Sequence, residues 1–181
     1  MKIKTGKDNP ILRKPLSPVT DPRTKEIREL IRAMRKTMRE ASGIGLAANQ
    51  IGKDLRLCVI ELPPSNKQKA INKKRQFYAL INPEIVKTSK EKLLREEGCL
   101  SLPGLWGVVP RFTRVTVKAT SPTEKAVKLK ATGLLAHALQ HELDHLEGIL
   151  FIDKAKEVIN ITEEERMQRI AERNLHESGQ T

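Results

Sequence analysis

Apolar residues in the first quarter of the chain fall at helical intervals. In DPRTKEIRELIRAMRKTMREASG, Ile27, Leu30, Ile31, Met34 and Met38 recur every three or four residues, and Gly43 ends the run. Asp21 as N-cap and Pro22 at the first helical position mark the expected start. The opposite face is basic, so the Met34/Met38 stripe reads as core packing rather than a cofactor contact. The period then changes. LRLCVIEL (55–62) is apolar and β-branched and predicts a strand with Cys58 as a small buried thiol. FYALIN predicts a second short strand, ended by Pro83. TRVTVKA alternates through Val115, Val117 and Ala119, and KAVKLKA continues that alternation after a turn at Ser121-Pro122. Helical periodicity returns from Thr132 to Gly148. Thr162 and Glu165 then form a capping box for a charged C-terminal helix expected to end near His176.

Strands clustered mid-chain with helices toward the ends predict an α+β fold. The expected form is a single domain over residues 1–181, with short mixed or antiparallel sheets around the helix that carries HELDH. No run of 18 apolar residues predicts a membrane span. The opening MKIKTGKDNPILRK lacks a secretory pattern, so Cys58 and Cys99 are expected as reduced thiols. A net charge of +12 and the basic stretch NKQKAINKKRQ (66–76) fit either a solvated surface or attraction to a polyanion such as RNA. Nothing in the pattern supports sequence-specific RNA readout.

The chemistry concentrates in LLAHALQHELDHLEG (134–148). His137, His141 and His145 are spaced by four residues, which puts neighbours on one helical face. All three cannot share one ion, because His137 and His145 are about 12 Å apart along a helix axis. Glu142 decides between the pairs. HELDH is an H-E-x-x-H arrangement, with His141 and His145 as ligands and Glu142 as general base, and it leaves His137 to line the site. A third ligand is needed. The extended H-E-x-x-H-x-x-G-x-x-H pattern is kept as far as Gly148 but has Phe151 at its last position. Glu163, Glu164 and Glu165 are available, although a helix N-terminus already explains them. Cys99, in the tight extended turn EEGCLSLPG, is the other choice.

Three motifs together, GIGLAANQ (43–50), EGCLS (97–101) and QHELDH (140–145), resemble the peptide deformylase family in order and spacing. The resemblance runs from NPILRKPLSPV through GILFID. Asn49 departs from the proline often found before the glutamine, and leaves Gln50 intact.

The resemblance implies that Cys99, His141 and His145 hold one divalent metal ion, usually Fe(II), with Zn(II) or Ni(II) as alternatives in purified protein. Glu142 would move the proton, while Gln50 and the backbone N–H of Leu100 would hold the oxyanion. Ile44, Gly45, Glu97, Leu134 and Ala138 would meet the substrate, a formyl-methionyl nascent peptide. Arg111 would either contact the peptide or buttress the Cys99 loop. The family's work on nascent chains implies a cytoplasmic enzyme, with ribosomal RNA as a partner for the basic surface and the C-terminal helix as the contact. Neither DNA nor a membrane is expected as a partner. Two other readings remain open at this stage. One is an endopeptidase whose third ligand is a glutamate among Glu163 to Glu165; the other is an RNA-associated protein with a structural metal.

Overall fold

In the computed structural model of the protein, residues 1–63, 75–123 and 125–179 are described, with side chains to residue 172. The basic stretch 66–76 lies outside them apart from Arg75 and Gln76. Strands β1 (Gly45–Ala47), β2 (Leu57–Leu62), β3 (Gln76–Thr88), β6 (Arg114–Thr120) and β7 (Ala126–Thr132) form one sheet in the order β1-β2-β3-β6-β7. Strands β4 (Lys92–Cys99), β5 (Leu102–Phe112) and β8 (Glu157–Asn160) form a second. Every described pairing is antiparallel. Helix α1 (Lys25–Glu40) and helix α2 (Gly133–Leu146) pack on the larger sheet, and helix α3 (Glu163–Gly179) follows β8.

Strand β2 shows why its sequence is apolar throughout. It is buried on both faces: Leu57 and Val59 join Ile27, Ile31, Met34 and Met38 of α1, whereas Cys58 and Ile60 join Leu139, Leu143 and Leu146 of α2. A third cluster, with Leu12, Leu102, Val109, Leu150 and Phe151, closes the smaller sheet. Helix α2 is therefore enclosed on several sides, and its composition is apolar well beyond one stripe.

Several boundaries differ from expectation. Helix α1 starts later, because Thr24 is the N-cap and accepts from the Ile27 N–H at 3.2 Å. The Asp21 carboxylate instead closes a turn with the Arg23 N–H. Strand β3 continues past Pro83, where a break in register absorbs the missing donor. Pro103 likewise lies inside β5, so Cys99 ends a long hairpin strand and is not part of an isolated turn. The capping box at Thr162 and Glu165 forms in both directions, at 3.2 and 2.7 Å. Helix α3 extends to Gly179, beyond His176. Among the described residues no helix is long and apolar enough to cross a membrane.

One ion cluster around a buried carboxylate fixes α1 on the sheet beside the GIGLAANQ segment. Glu61 of β2 has no exposed side-chain surface; Arg39 reaches its oxygens at 2.5 and 2.7 Å, and Arg35 donates to it while lying over the Phe77 ring. The Glu61 N–H also holds the Ile44 carbonyl at 2.8 Å. Hydrogen bonding from Arg39, and then from Arg35, outweighs desolvation and holds the Glu61 carboxyl down at about 2. A carboxyl lowered on folding contributes stability that is complete above its ordinary value, near 4.5, and drains away as the pH falls through about 2. Glu61→Gln should therefore lower stability by about 2–3 kcal/mol at neutral pH. In denaturant titrations its difference from the natural protein should shrink steadily below pH 4.5. A difference that does not change with pH would mean that the cluster acts through packing alone.

Candidate metal centre and substrate cleft

Helix α2 carries His141 and His145 one turn apart, and the end of β4 brings Cys99 to them. The Cys99 Sγ lies 3.2 Å from His145 Nε2, and one ligand atom from each of Cys99, His141 and His145 lies within 4.8 Å of the others. The ladder of β4 and β5 slips between Gly98 and Cys99. Such a slip turns a side chain out of the sheet, here toward the helix. Gly98 is required at that point, because a Cβ there would lie 2.5 Å from the Trp106 ring. One thiol and two imidazoles form a donor set suited to a divalent transition metal. Burial pushes the Cys99 thiol up, but His145 and then His141 outweigh it and bring the thiol to about 5, in the thiolate range at neutral pH. Burial lowers the His141 imidazole, yet hydrogen bonds with Cys99 and Glu97 lift it well above the usual histidine range.

Behind the histidines lies Glu97. Its Oε2 accepts from His141 Nδ1 at 2.7 Å, leaving Nε2 as the free ligand atom of that ring, and its Oε1 meets His137 Nε2 at 2.9 Å. Arg111 grips both oxygens, at 2.5 and 2.9 Å, and also reaches Asp144 at 2.6 Å. Although burial opposes it, the Arg111 bridge and the two histidines hold the Glu97 carboxyl far below the carboxylate range. Both oxygens of Glu97, expected at the substrate, are thus committed to neighbouring side chains. Of the two roles open to Arg111, the structure has it buttress: it is buried and joins β5 to β4 and α2. His137 lines the cleft without joining the ligand group.

Opposite the histidines, the turn after β1 presents Gln50. Its Oε1 accepts from the Ala47 N–H at 2.8 Å, so its Nε2 points to Ser101 Oγ at 3.2 Å and Cys99 Sγ at 3.5 Å. Ser101, which ends the EGCLS motif but had no role assigned from sequence, therefore helps to aim the amide. Asn49 is fully buried and donates to the His145 carbonyl at 2.7 Å, tying the glutamine turn to the end of α2. Glu142 sits between these groups. Burial pushes its carboxyl up to about 7, and its Oε2 has no hydrogen-bond partner. A Cβ on Gly45 would lie 2.1 Å from Glu142 Oε1, so only glycine leaves room for this carboxylate.

These groups line a cleft between the Ser42–Gly45 segment and the Glu96–Leu100 segment, with His137, Ala138, His141 and Glu142 along one wall. Leu134, expected in that wall, instead packs in the core against the large sheet. Trp106 of β5 and Arg166 and Ile170 of α3 also line the cleft, and the motifs gave no sign of them. Helical spacing of Arg166 and Ile170 predicts that they share a face but not what that face meets. Among the described residues, no glutamate of α3 joins the histidines: Glu163 pairs with Arg166, and Glu165 caps its helix. The glutamate-ligand reading is overturned by that arrangement.

Comparison with known proteins gives the same direction. The family model described as polypeptide deformylase matches residues 1–160. A peptide deformylase of Chloroflexus aggregans is 42% identical over 179 residues, covering 94% of this chain and 95% of that protein. One from Natranaerobius thermophilus is 48% identical over 157 residues, covering 87% and 93%. Among solved structures, a peptide deformylase from Synechococcus elongatus in complex with actinonin superposes with a TM-score of 0.77 at 37% identity, covering 85% of this chain and 79% of that one. The Thermotoga maritima peptide deformylase gives 0.75 at 35% identity, covering 86% and 97%. Matches of this extent, on a chain that gathers a thiol and two imidazoles beside a buried carboxyl, show that it belongs to the peptide deformylase family of metal-dependent hydrolases that remove the formyl group from formyl-methionyl peptides.

Proposed function

We propose that Cys99, His141 and His145 are the metal ligands of this deformylase and that Glu142 is its proton carrier. The observation that carries this reading is the buried Glu142 carboxyl, with one oxygen unpartnered beside the three donors. A divalent metal held there, with Fe(II) as the working ion and Zn(II) or Ni(II) as substitutes, supplies Lewis acidity toward water and the formyl carbonyl. Glu142, its carboxyl near 7, takes a proton from the attacking water. As the water oxygen bonds to the formyl carbon, Gln50 Nε2 and the Leu100 N–H donate to the oxygen that gains charge. Glu142 then returns the proton to the departing nitrogen as its bond to carbon breaks, giving formate and a free amine.

The peptide is held by the free edge of β1, whose other edge pairs with β2. An extended chain adds there by backbone hydrogen bonds, with Ile44 and Gly45 at the reacting end. Its methionine side chain lies against Ile44, His137 and Ala138. We place the enzyme in the cytoplasm, where nascent chains emerge, and assign the +12 surface a role in attraction to ribosomal RNA.

Three outcomes test this reading. Cys99→Ala should lose bound metal and activity, whereas Cys58→Ala, a small change in the fully buried face of β2, should keep both and lose about 1 kcal/mol of stability. Metal content of the purified variants checks it, and a fully loaded, active Cys99→Ala protein would refute the ligand assignment. Glu142→Gln should retain metal while kcat falls about 10²–10⁴-fold; near-normal turnover would move the proton-carrier role elsewhere. Finally, mass spectrometry should detect formate release from formyl-Met peptides and much slower attack on acetyl-Met peptides. The extra methyl of acetyl meets a pocket closed by Gln50 and Leu100. Cleavage inside the peptide, with the formyl group intact, would refute deformylation.

A further inference from the structure

The catalytic cleft does not end at Ile44. A second concavity shares Ser42, Gly43, Ile44 and Ile170 with it and continues past them to Arg39, Arg75 and Met167. Anything lying along Ser42–Ile44 with its reacting end at Glu142 therefore has its far end in this continuation.

The charged residues that line the continuation itself are both arginines, Arg39 and Arg75. Arg39 keeps about half of its side chain exposed, while the carboxylate that pairs with it, Glu61, is wholly buried beneath. Arg75 is exposed, and among the described residues no carboxylate pairs with it; the stretch 64–74 just before it contains no acidic residue. Arg166 lines the catalytic cleft one helical turn from Ile170, which the two concavities share, and its charge is offset by the exposed Glu163. It is fixed by bonds to Glu163 at 2.6 Å and to the Ala41 carbonyl at 3.2 Å, with only a fifth of its side chain exposed. A guanidinium fixed in this way spends little conformational entropy on meeting a further acceptor. On the opposite rim, Glu96 is already engaged by Arg169 at 2.8 Å.

We infer that this continuation binds the residues of the formyl peptide beyond the second and that it selects acidic side chains there. The inference rests on the deformylase reading above, which fixes where the formyl end sits. Arg166 meets the chain as it leaves the catalytic cleft, and Arg39 and Arg75 meet carboxylates farther along. Peptide is favoured over nucleic acid as the occupant because the continuation opens directly into the cleft that holds the reacting group.

The test compares formyl-Met-Ala-Glu-Glu-amide, formyl-Met-Ala-Lys-Lys-amide and formyl-Met-Ala-amide on the metal-loaded protein. At low salt the acidic tail should be favoured over the basic one by about fivefold in kcat/KM, carried by KM, as expected for a few solvent-exposed charge pairs. The gap should close at about 0.5 M salt, where charges on the surface are screened. Arg75→Glu should reduce the preference, and Arg166→Glu should abolish or reverse it. If Arg166→Glu fails to fold, Arg75→Glu and the salt series still decide. Equal turnover of the two tails, or a preference for the basic one, would overturn the inference, as would tight oligonucleotide binding to these arginines without peptide selectivity. Failure to turn over even formyl-Met-Ala-amide would instead refute the deformylase reading on which it rests.

Discussion

The candidate centre depends on one buried carboxylate. Glu97 receives Arg111, His137 and His141 at once, and so joins both strands of the small-sheet hairpin to α2. It lies two residues before Cys99, and the same strand segment thus supplies one proposed metal donor and the group that orients another. Isolated, such a charge would be costly to bury; with both oxygens used it becomes a rigid joint, and removing one partner of a buried pair typically costs about 3–5 kcal/mol. Asp144 extends the joint, taking Arg111 on one oxygen and Lys154 on the other, at 2.6 and 2.5 Å. The neutral imidazole required for ligation has its Nε2 directed away from this joint.

Around that joint the fold sets three independent segments against one another. The large sheet fixes Gln50 and Gly45 through β1, the small sheet fixes Cys99, and α2 fixes both histidines and Glu142. None of these segments could hold the arrangement alone. Local hydrogen bonds cross each boundary: Asn49 to the His145 carbonyl, Gln50 to Ser101, and Glu97 to His141. The Leu16 N–H meets the Leu146 carbonyl at the end of α2, at 2.9 Å, which brings the N-terminal segment into the same framework.

The parts of this arrangement that were legible in the sequence are those encoded locally. Four-residue spacing together with Glu142 marks His141 and His145, alternation marks β6 and β7, and a side-chain oxygen three residues before a glutamate marks the start of α3. What was not legible depends on distant partners. Asp21-Pro22 has sound capping chemistry, yet Thr24 takes the role because Ile27 must begin the buried face of α1. Pro83 and Pro103 look like strand breakers, but breaks in register at those positions let their strands continue. Leu134 shares a helical face with the ligands, yet α2 is enclosed on several sides and that residue turns into the core. No local pattern could show that Arg166 and Ile170, about 25 positions beyond HELDH, return to line the cleft.

Polar satisfaction separates the joint from the reacting groups. Among the described residues, the buried side-chain polar atoms without a partner are Asn49 Oδ1, Glu142 Oε2 and His145 Nδ1. All three belong to residues of the centre or in direct contact with it, while Glu97, Arg111 and Gln140, equally buried, are fully bonded. Unpaired buried polar atoms each cost about 1–3 kcal/mol and are uncommon in folded proteins. Their confinement to one place sets the centre apart from the fully bonded network around it. It also explains the division of labour between the two carboxylates of the site. Glu97 has both oxygens engaged by partners and is kept charged, which suits it to hold others in place. Glu142 has an unpartnered oxygen and is pushed toward neutrality by burial, which suits the proton-carrying role proposed for it.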